Sequence, residues 1–213
     1  MNFFELINKC LLELNYKEVA SMAELVKNDH KRIKNILNII NKEICNSDEW
    51  DFLLKYKNIS IPANSSEIIT PVDGRILYFI IDGKNYEYCK DKKIFVSKEN
   101  IPQGYYFSID NKIFLPKFSQ AKNAEIFYYT SKSAQNSDGD LVDDMTNAQD
   151  KSLIPMPFAE QILVYGACLR LKANPSYVRF NYWMSMYKEA LRNLKSKCSI
   201  YAKEASKIRL YRE

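Results

Sequence analysis

Ile76-Leu77-Tyr78-Phe79-Ile80-Ile81-Asp82-Gly83-Lys84-Asn85-Tyr86-Glu87-Tyr88-Cys89 is the stretch whose reading decides the fold class. A run of β-favouring side chains is cut by Asp-Gly, and a second, alternating run follows. Asp-Gly tolerates the positive φ angles of a two-residue turn, so the stretch predicts a β-hairpin. Outward from it, a period near two holds from Trp50 to about Thr130. Further strands are expected over 94–96, 105–109, 113–115 and 126–130, with Asp110-Asn111 as a second tight turn. Pro62, Pro71, Pro102 and Pro116 punctuate the block and favour edges or connections. About seven short strands are enough for a small sandwich or barrel.

On either side of this block the period is helical. Phe3, Phe4, Leu6, Ile7, Leu11, Leu12 and Leu14 predict one helix. Ser21 and Glu24 have the spacing of a capping box and predict the start of a second. Met22, Leu25, Val26, Ile33, Ile36, Leu37, Ile40 and Ile44 would form its apolar face, with Lys27, Lys31, Lys34, Asn38 and Asn41 opposite. It should stop near residues 46 and 47. Beyond the β block, residues 131–151 hold little apolar material apart from Leu141, Val142 and Met145, and read as a long acidic loop, functional or mobile. Pro155 or Pro157 suits a first helical turn, and Gly166 with Ala167 permits a close helix contact. Asn174-Pro175 reads as a break and a new N-cap, with a last helix from Ser176 to about Tyr201. Trp50 and Trp183 are expected as core anchors.

The expected fold is therefore α+β: a four-helix unit, from two N-terminal and two C-terminal helices, with an inserted small antiparallel β subdomain. Its parts are a helical pair over 1–49, the β-rich subdomain over 50–131, the acidic loop over 132–151, a helical pair over 152–201 that completes the bundle, and a basic tail over 202–213.

Composition narrows the chemistry. The chain has 213 residues, 46% hydrophobic and 27% charged, which suits an ordinary core without disulfide or metal staples. Only 5 glycines are present, and neither G-x-x-x-x-G-K-[ST] nor G-x-G-x-x-G occurs, which argues against a phosphate loop. The single histidine, His30, lies in a polar patch with Asn28, Asp29, Lys31 and Arg32 and is expected on a solvated helix face. The 5 cysteines include no C-x-x-C pair and read as reduced, mostly buried thiols of a cytosolic product. No zinc site, no cofactor and no enzyme activity are expected. No apolar run approaches the ~18 residues of a spanning helix, and the first fourteen residues read as an amphipathic helix, not a signal peptide.

Charge is unevenly placed. Of 31 Lys and Arg, 11 fall after residue 169, against only 3 acids there, so the basic excess lies at the C-terminal end. Arg192, Lys195, Lys197, Lys203, Lys207, Arg209 and Arg212 crowd it, interleaved with Tyr201, Ile208, Leu210 and Tyr211. This fits a solvated helix end favoured by the macrodipole, a tail that orders on a partner, or phosphate contact. Asp138, Asp140, Asp143 and Asp144 form an acidic run without the frame of a calcium loop; a solvated loop or a contact with a basic partner is expected.

The order of elements resembles that of tailed-phage head-to-tail adaptor proteins, in particular the tail accessory factors of short-tailed phages. The likeness is carried by a helical pair followed by Asp48-Glu49-Trp50-Asp51-Phe52-Leu53, then by Ile59-Ser60-Ile61-Pro62 and the β block. Ile126-Phe127-Tyr128-Tyr129, the Asp-rich segment, Ile154-Pro155-Met156-Pro157-Phe158 and Tyr187-Lys188-Glu189-Ala190-Leu191 continue it. The resemblance implies a structural virion protein, made in the host bacterial cytoplasm and placed at the head–tail junction. Such subunits form a ring, typically of twelve copies, under the portal protein. They extend the DNA channel, help retain the genome and give downstream tail proteins a platform. It further implies portal docking by residues 195–213, which assigns that role to Lys195, Lys197, Tyr201, Lys203, Lys207, Arg209, Tyr211 and Arg212. Asp138, Asp140, Asp143 and Asp144 would then face a neighbouring subunit or the next tail ring, and non-specific contact with packaged DNA is compatible with it. The alternative is a cytosolic nucleic-acid-binding or protein-interaction module that uses the basic C-terminal helix.

Overall fold

In the computed structural model, which describes residues 1–91 and 101–200, α1 (Phe3–Glu13) opens on a capping box. Asn2 Oδ1 accepts from the Glu5 amide, and the Glu5 carboxylate accepts from the Asn2 amide, both at 2.9 Å. Two otherwise free donors of the first turn are satisfied reciprocally. The chain is mixed α+β, with four α-helices and a seven-stranded sheet among the described residues. It divides into two compact units: Met1–Leu53 with the chain from Lys132 onward, and Leu54–Ser131. The change of sequence character at Trp50 precedes the change of unit.

The first unit contains α1, α2 (Asn28–Cys45), α3 (Phe158–Leu171) and α4 (Phe180–Cys198). α3 is apolar nearly all round and packs against the other three helices. Gly166 makes that possible: a Cβ there would stand 3.0 Å from the Tyr187 ring and 3.1 Å from Ile40 Cδ1. Both tryptophans are fully buried anchors. Trp50 Nε1 donates to Ile44 O at 2.7 Å, and Trp183 Nε1 donates to Glu13 Oε2 at 3.0 Å. A backbone bridge joins Trp50 to Ser199, and the Ile200 amide donates to Glu49 O at 3.2 Å.

Several helix starts differ from the sequence reading. α2 begins at Asn28, because Ser21 and Glu24 close only a 3₁₀ turn (Met22–Glu24). Glu24 accepts from the Ala20 amide instead, and Lys27 is extended, with ψ 153°. Asn8 holds that connection against α1 by reciprocal bonds with the Val19 backbone at 3.0 and 3.1 Å. α4 begins at Phe180, after a turn in which Asn174 Oδ1 accepts from the Ser176 amide. Pro157 is the N-cap of α3, so neither proline lies within its first turn. His30 is only 6% exposed, not solvated.

The second unit holds β1 (Leu54–Ile61), β2 (Glu67–Ile69), β3 (Gly74–Ile81), β4 (Lys84–Tyr88), β5 (Tyr105–Ile109), β6 (Lys112–Phe114) and β7 (Lys122–Thr130), in the order β1-β7-β3-β4-β5-β6-β2. Both expected two-residue turns are present, with φ of 49° and 75° at Asp82 and Gly83 and of 50° and 62° at Asp110 and Asn111. The sheet is mixed, where an antiparallel one was expected: β4 and β5 run parallel. The connection between them is long enough for the crossover a parallel pair needs. The strand expected over 94–96 lies outside the described residues. Ile61, Phe79, Tyr86, Tyr106, Ile113 and Ile126 share one core, with Ile68 packed against it. All seven strands feed that core, so the sheet curls round it.

Gly74 marks the tightest backbone approach. Its φ is +145°, and a Cβ would lie 2.0 Å from Tyr129 O and 2.9 Å from Thr130 Cα. Gly74→Ala should therefore cost about 3 kcal/mol. Gly83→Ala, where nothing lies within 4 Å but φ is +75°, should cost only about 1 kcal/mol. Urea unfolding of the two full-length variants, followed by circular dichroism, checks the difference.

Candidate interaction surfaces

Residues 132–154 are not the open acidic loop that composition predicts. They carry three two-residue strands, β8 (Ala134–Gln135), β9 (Leu141–Val142) and β10 (Lys151–Ser152), in the order β10-β8-β9. Ser133, Ala134, Met145, Asp150 and Ile154 are buried. This strap is fastened to α2 by the amides that the helical periodicity assigned to the solvent face. Asn41, 0% exposed, donates through Nδ2 to Ser133 O at 2.8 Å and to Ser133 Oγ at 3.1 Å. Its Oδ1 accepts from Ser152 Oγ at 2.6 Å. Asn38 pairs with the Met145 backbone in both directions, at 2.9 and 3.0 Å. The strap also meets the start of α1, where the Phe3 and Phe4 amides donate to the carbonyls of Asp150 and Ala148.

The acidic residues divide by partner. Asp144 pairs with Lys42 at 2.8 Å and Asp143 with Lys132 at 2.9 Å. Asp150 Oδ2 accepts from the Thr146 and Asn147 amides at 2.7 Å each, and its Oδ1 has no hydrogen-bond partner. Asp138 and Asp140 sit at the exposed tip between β8 and β9. That tip is shaped by Asn136, whose Oδ1 accepts from the Asp138 and Asp140 amides at 3.0 and 2.8 Å, and by Gly139 at φ 91°. The four acids named from sequence are thus two internal ion-pair partners and two tip residues.

Lys195 and Lys197 are exposed on the last turn of α4, and Lys197 Nζ lies 5.7 Å from the centroid of the Phe158 ring. Tyr201, Lys203, Lys207, Arg209, Tyr211 and Arg212 lie outside the described residues.

Two buried thiols and one tyrosine are held in their neutral forms. Burial pushes the Cys45 thiol from 9.0 up to about 12. Burial, with the Cys168 thiol beside it, holds Cys10 well above the usual thiol range. Burial, then the Tyr182 hydroxyl at 3.3 Å, raises Tyr165. A thiolate or tyrosinate nucleophile is disfavoured at these positions near neutral pH. All five cysteines are buried free thiols. A cavity of about 420 Å³ beside the start of α2 is lined by Tyr16, Glu18, Glu24, Lys27 and His30 among others. His30 Nδ1 is buried without a partner, and Asp29 accepts from the Tyr16 hydroxyl at 3.3 Å. Among the described residues, no three His, Cys, Asp or Glu side chains are placed to hold a metal ion, and no helix is long and apolar enough to cross a membrane. No protein-family model matches the chain, and no curated protein matches it significantly.

The surface offers edges and charged tips instead. Among the described residues, β1 and β2 end the large sheet, and β9 and β10 end the small one. Tyr56 and Ile69, on the two edge strands of the large sheet, are the most exposed large apolar side chains among the described residues of that unit, at 67% and 75%. Sequence reading missed both edges, because alternation identifies strands but not which strand lies outermost.

Asn41→Leu should lower stability by about 2–4 kcal/mol, since it leaves Ser133 and Ser152 without their partner. It should also open the strap to limited proteolysis within 132–151. Asp143→Asn should stay within about 0.5 kcal/mol and keep the strap protected, because the Asp143 side chain is 62% exposed. A second expectation concerns pH. A thiol whose native pKa is raised is ionised first in the unfolded chain, so its contribution is fully present below pH 9.0 and is lost as pH rises towards about 12. Urea midpoints measured across that range should fall, and Cys45→Ala should make the fall shallower.

Proposed function

We propose that this chain is a head-to-tail adaptor of a tailed phage: a structural subunit that forms a ring beneath the portal, extends the DNA channel and carries later tail components. The observation that carries this reading is the division of the chain. One compact unit draws on both ends of the sequence, and the other is the uninterrupted segment Leu54–Ser131 between them. The division is compatible with the order of elements that carries the adaptor resemblance: a helical pair, a β block and a return to helices. The strap adds support, because it ties α2 to residues more than ninety positions away and makes the helical unit rigid. A ring subunit needs lateral surfaces rather than a pocket, and exposed apolar side chains on both units suit that need: Val26 and Val178 in one, Tyr56 and Ile69 in the other.

In this reading the basic C-terminal segment reaches the portal, starting from Lys195 and Lys197. The twelve-fold ring, the site at the head–tail junction and assembly in the host cytoplasm belong to the same proposal. The bridge at Ser199 and the bond at Ile200 fix where a truncation must begin.

Co-expression with the products of its neighbouring genes should yield a ring of high rotational symmetry stacked on a portal-like partner, seen by native mass spectrometry and electron microscopy. Removal of residues 201–213 should abolish portal attachment and leave the melting transition unchanged, since the bonds of Ser199 and Ile200 are retained. A chain that stays monomeric beside an assembled portal would refute the proposal.

A further inference from the structure

β1 has a long open edge. Its one hydrogen-bonded neighbour among the described residues is β7, and β2, at the far end of the sheet order, is only three residues long. Lys57 Nζ donates to Pro71 O at 2.9 Å, a neutral carbonyl, and among the described residues neither Lys55 nor Lys57 has a carboxylate at ion-pair distance. Tyr56 lies between these lysines in sequence and on the opposite face of the strand. One face of its ring stacks on Phe127, with centroids 6.2 Å apart, and Phe127 stacks on Tyr78 at 4.8 Å. The stack ends at Tyr56, with that ring mostly in solvent.

β9 is a second open edge, with complementary chemistry. It pairs only with β8 among the described residues and carries Leu141 and Val142, both half-buried. The tip that leads into it bears Asp138 and Asp140, for which no ion pair is formed among the described residues.

We infer that β9 and the Asp138/Asp140 tip of one copy dock on the open edge of β1 in a second copy. The backbone donors and acceptors of both edges pair, as in strand addition. Lys55 and Lys57 meet Asp138 and Asp140 on one face of the added strand, and Leu141, which alternation places on the other face, covers the free side of the Tyr56 stack. The two surfaces differ, so the contact is head-to-tail and closes a ring when its rotation allows. The inference rests on the ring reading proposed above and names the lateral contact that builds it.

Two full-length variants test it: Lys55→Glu with Lys57→Glu, and Asp138→Lys with Asp140→Lys. In either variant alone, like charges face each other, and self-association measured by analytical ultracentrifugation should weaken at least about tenfold. Mixed in equal amounts, each variant offers the other an opposite charge, and association should return. Circular dichroism and thermal melting report whether both remain folded. If the unmodified chain assembles and both folded variants assemble equally well, the edge contact is wrong and the ring reading survives. Weakening of each variant without rescue in the mixture also overturns the contact. An unmodified chain that stays monomeric at every concentration, with and without the portal, removes the ring and the contact together.

Discussion

The carboxamide of Asn41 is the constraint on which the arrangement of the helical unit depends. It lies wholly out of solvent and fixes Ser133 and Ser152, at the two flanks of the strap, to one turn of α2. A buried amide is costly when unpaired and gives only about 1 kcal/mol net per bond when paired. Its main effect is therefore specificity. An apolar face would let the strap slide along α2, whereas an amide with one oxygen and one nitrogen accepts a single register. α3 starts immediately after the strap, so the register set at Asn41 also sets where α3 enters the core. Gly166 then brings α3 close enough to touch Ile40, one residue before Asn41.

Local chemistry made much of the fold legible. Asp82-Gly83 and Asp110-Asn111 define their turns through φ angles that few other residue pairs adopt, and neither needs tertiary support. α1, the end of α2 and both tryptophan anchors follow from periodicity. What could not be read depends on partners far along the chain. Asn38 and Asn41 occupy the positions of a solvated face, and periodicity cannot tell an amide facing water from one facing a docked strap. His30 is hidden by the same ambiguity. The Ser21–Glu24 pair makes only a side-chain contact, at 3.4 Å, and no cap bond to the backbone of the turn. It closes a single turn because Asn8 pins the Val19 backbone to α1 and the chain must extend at Lys27 before α2 can begin. The parallel pairing of β4 with β5 depends on a long crossover, for which local alternation gives no sign.

The same limit applies to charge. A sequence shows an acidic run, but not which members already have partners. Lys42 and Lys132 take two of the four acids, and backbone amides take one oxygen of Asp150. The charge presented to a partner is smaller and more localised than composition suggests: it is concentrated at Asp138 and Asp140. Localisation makes such a charge useful, since a two-residue tip can define a register that a diffuse acidic loop cannot.

Edge strands carry an opposing demand. A long edge with free backbone groups and an exposed Tyr56 would, by itself, invite indiscriminate strand addition. Lys55 and Lys57 restrain it. Paired with its own copy, this edge would bring lysines together, and a basic segment would be repelled in the same way. An edge preceded by an acidic tip, such as β9, meets no such penalty. The lysines therefore act twice, by opposing symmetric or disordered pairing and by favouring one complementary strand. In the proposed ring, whose subunits would circulate free before assembly, discrimination of this kind would matter more than affinity. A short contact repeated round a closed ring gains its strength from closure, while each single contact stays weak enough to reverse until the ring is complete.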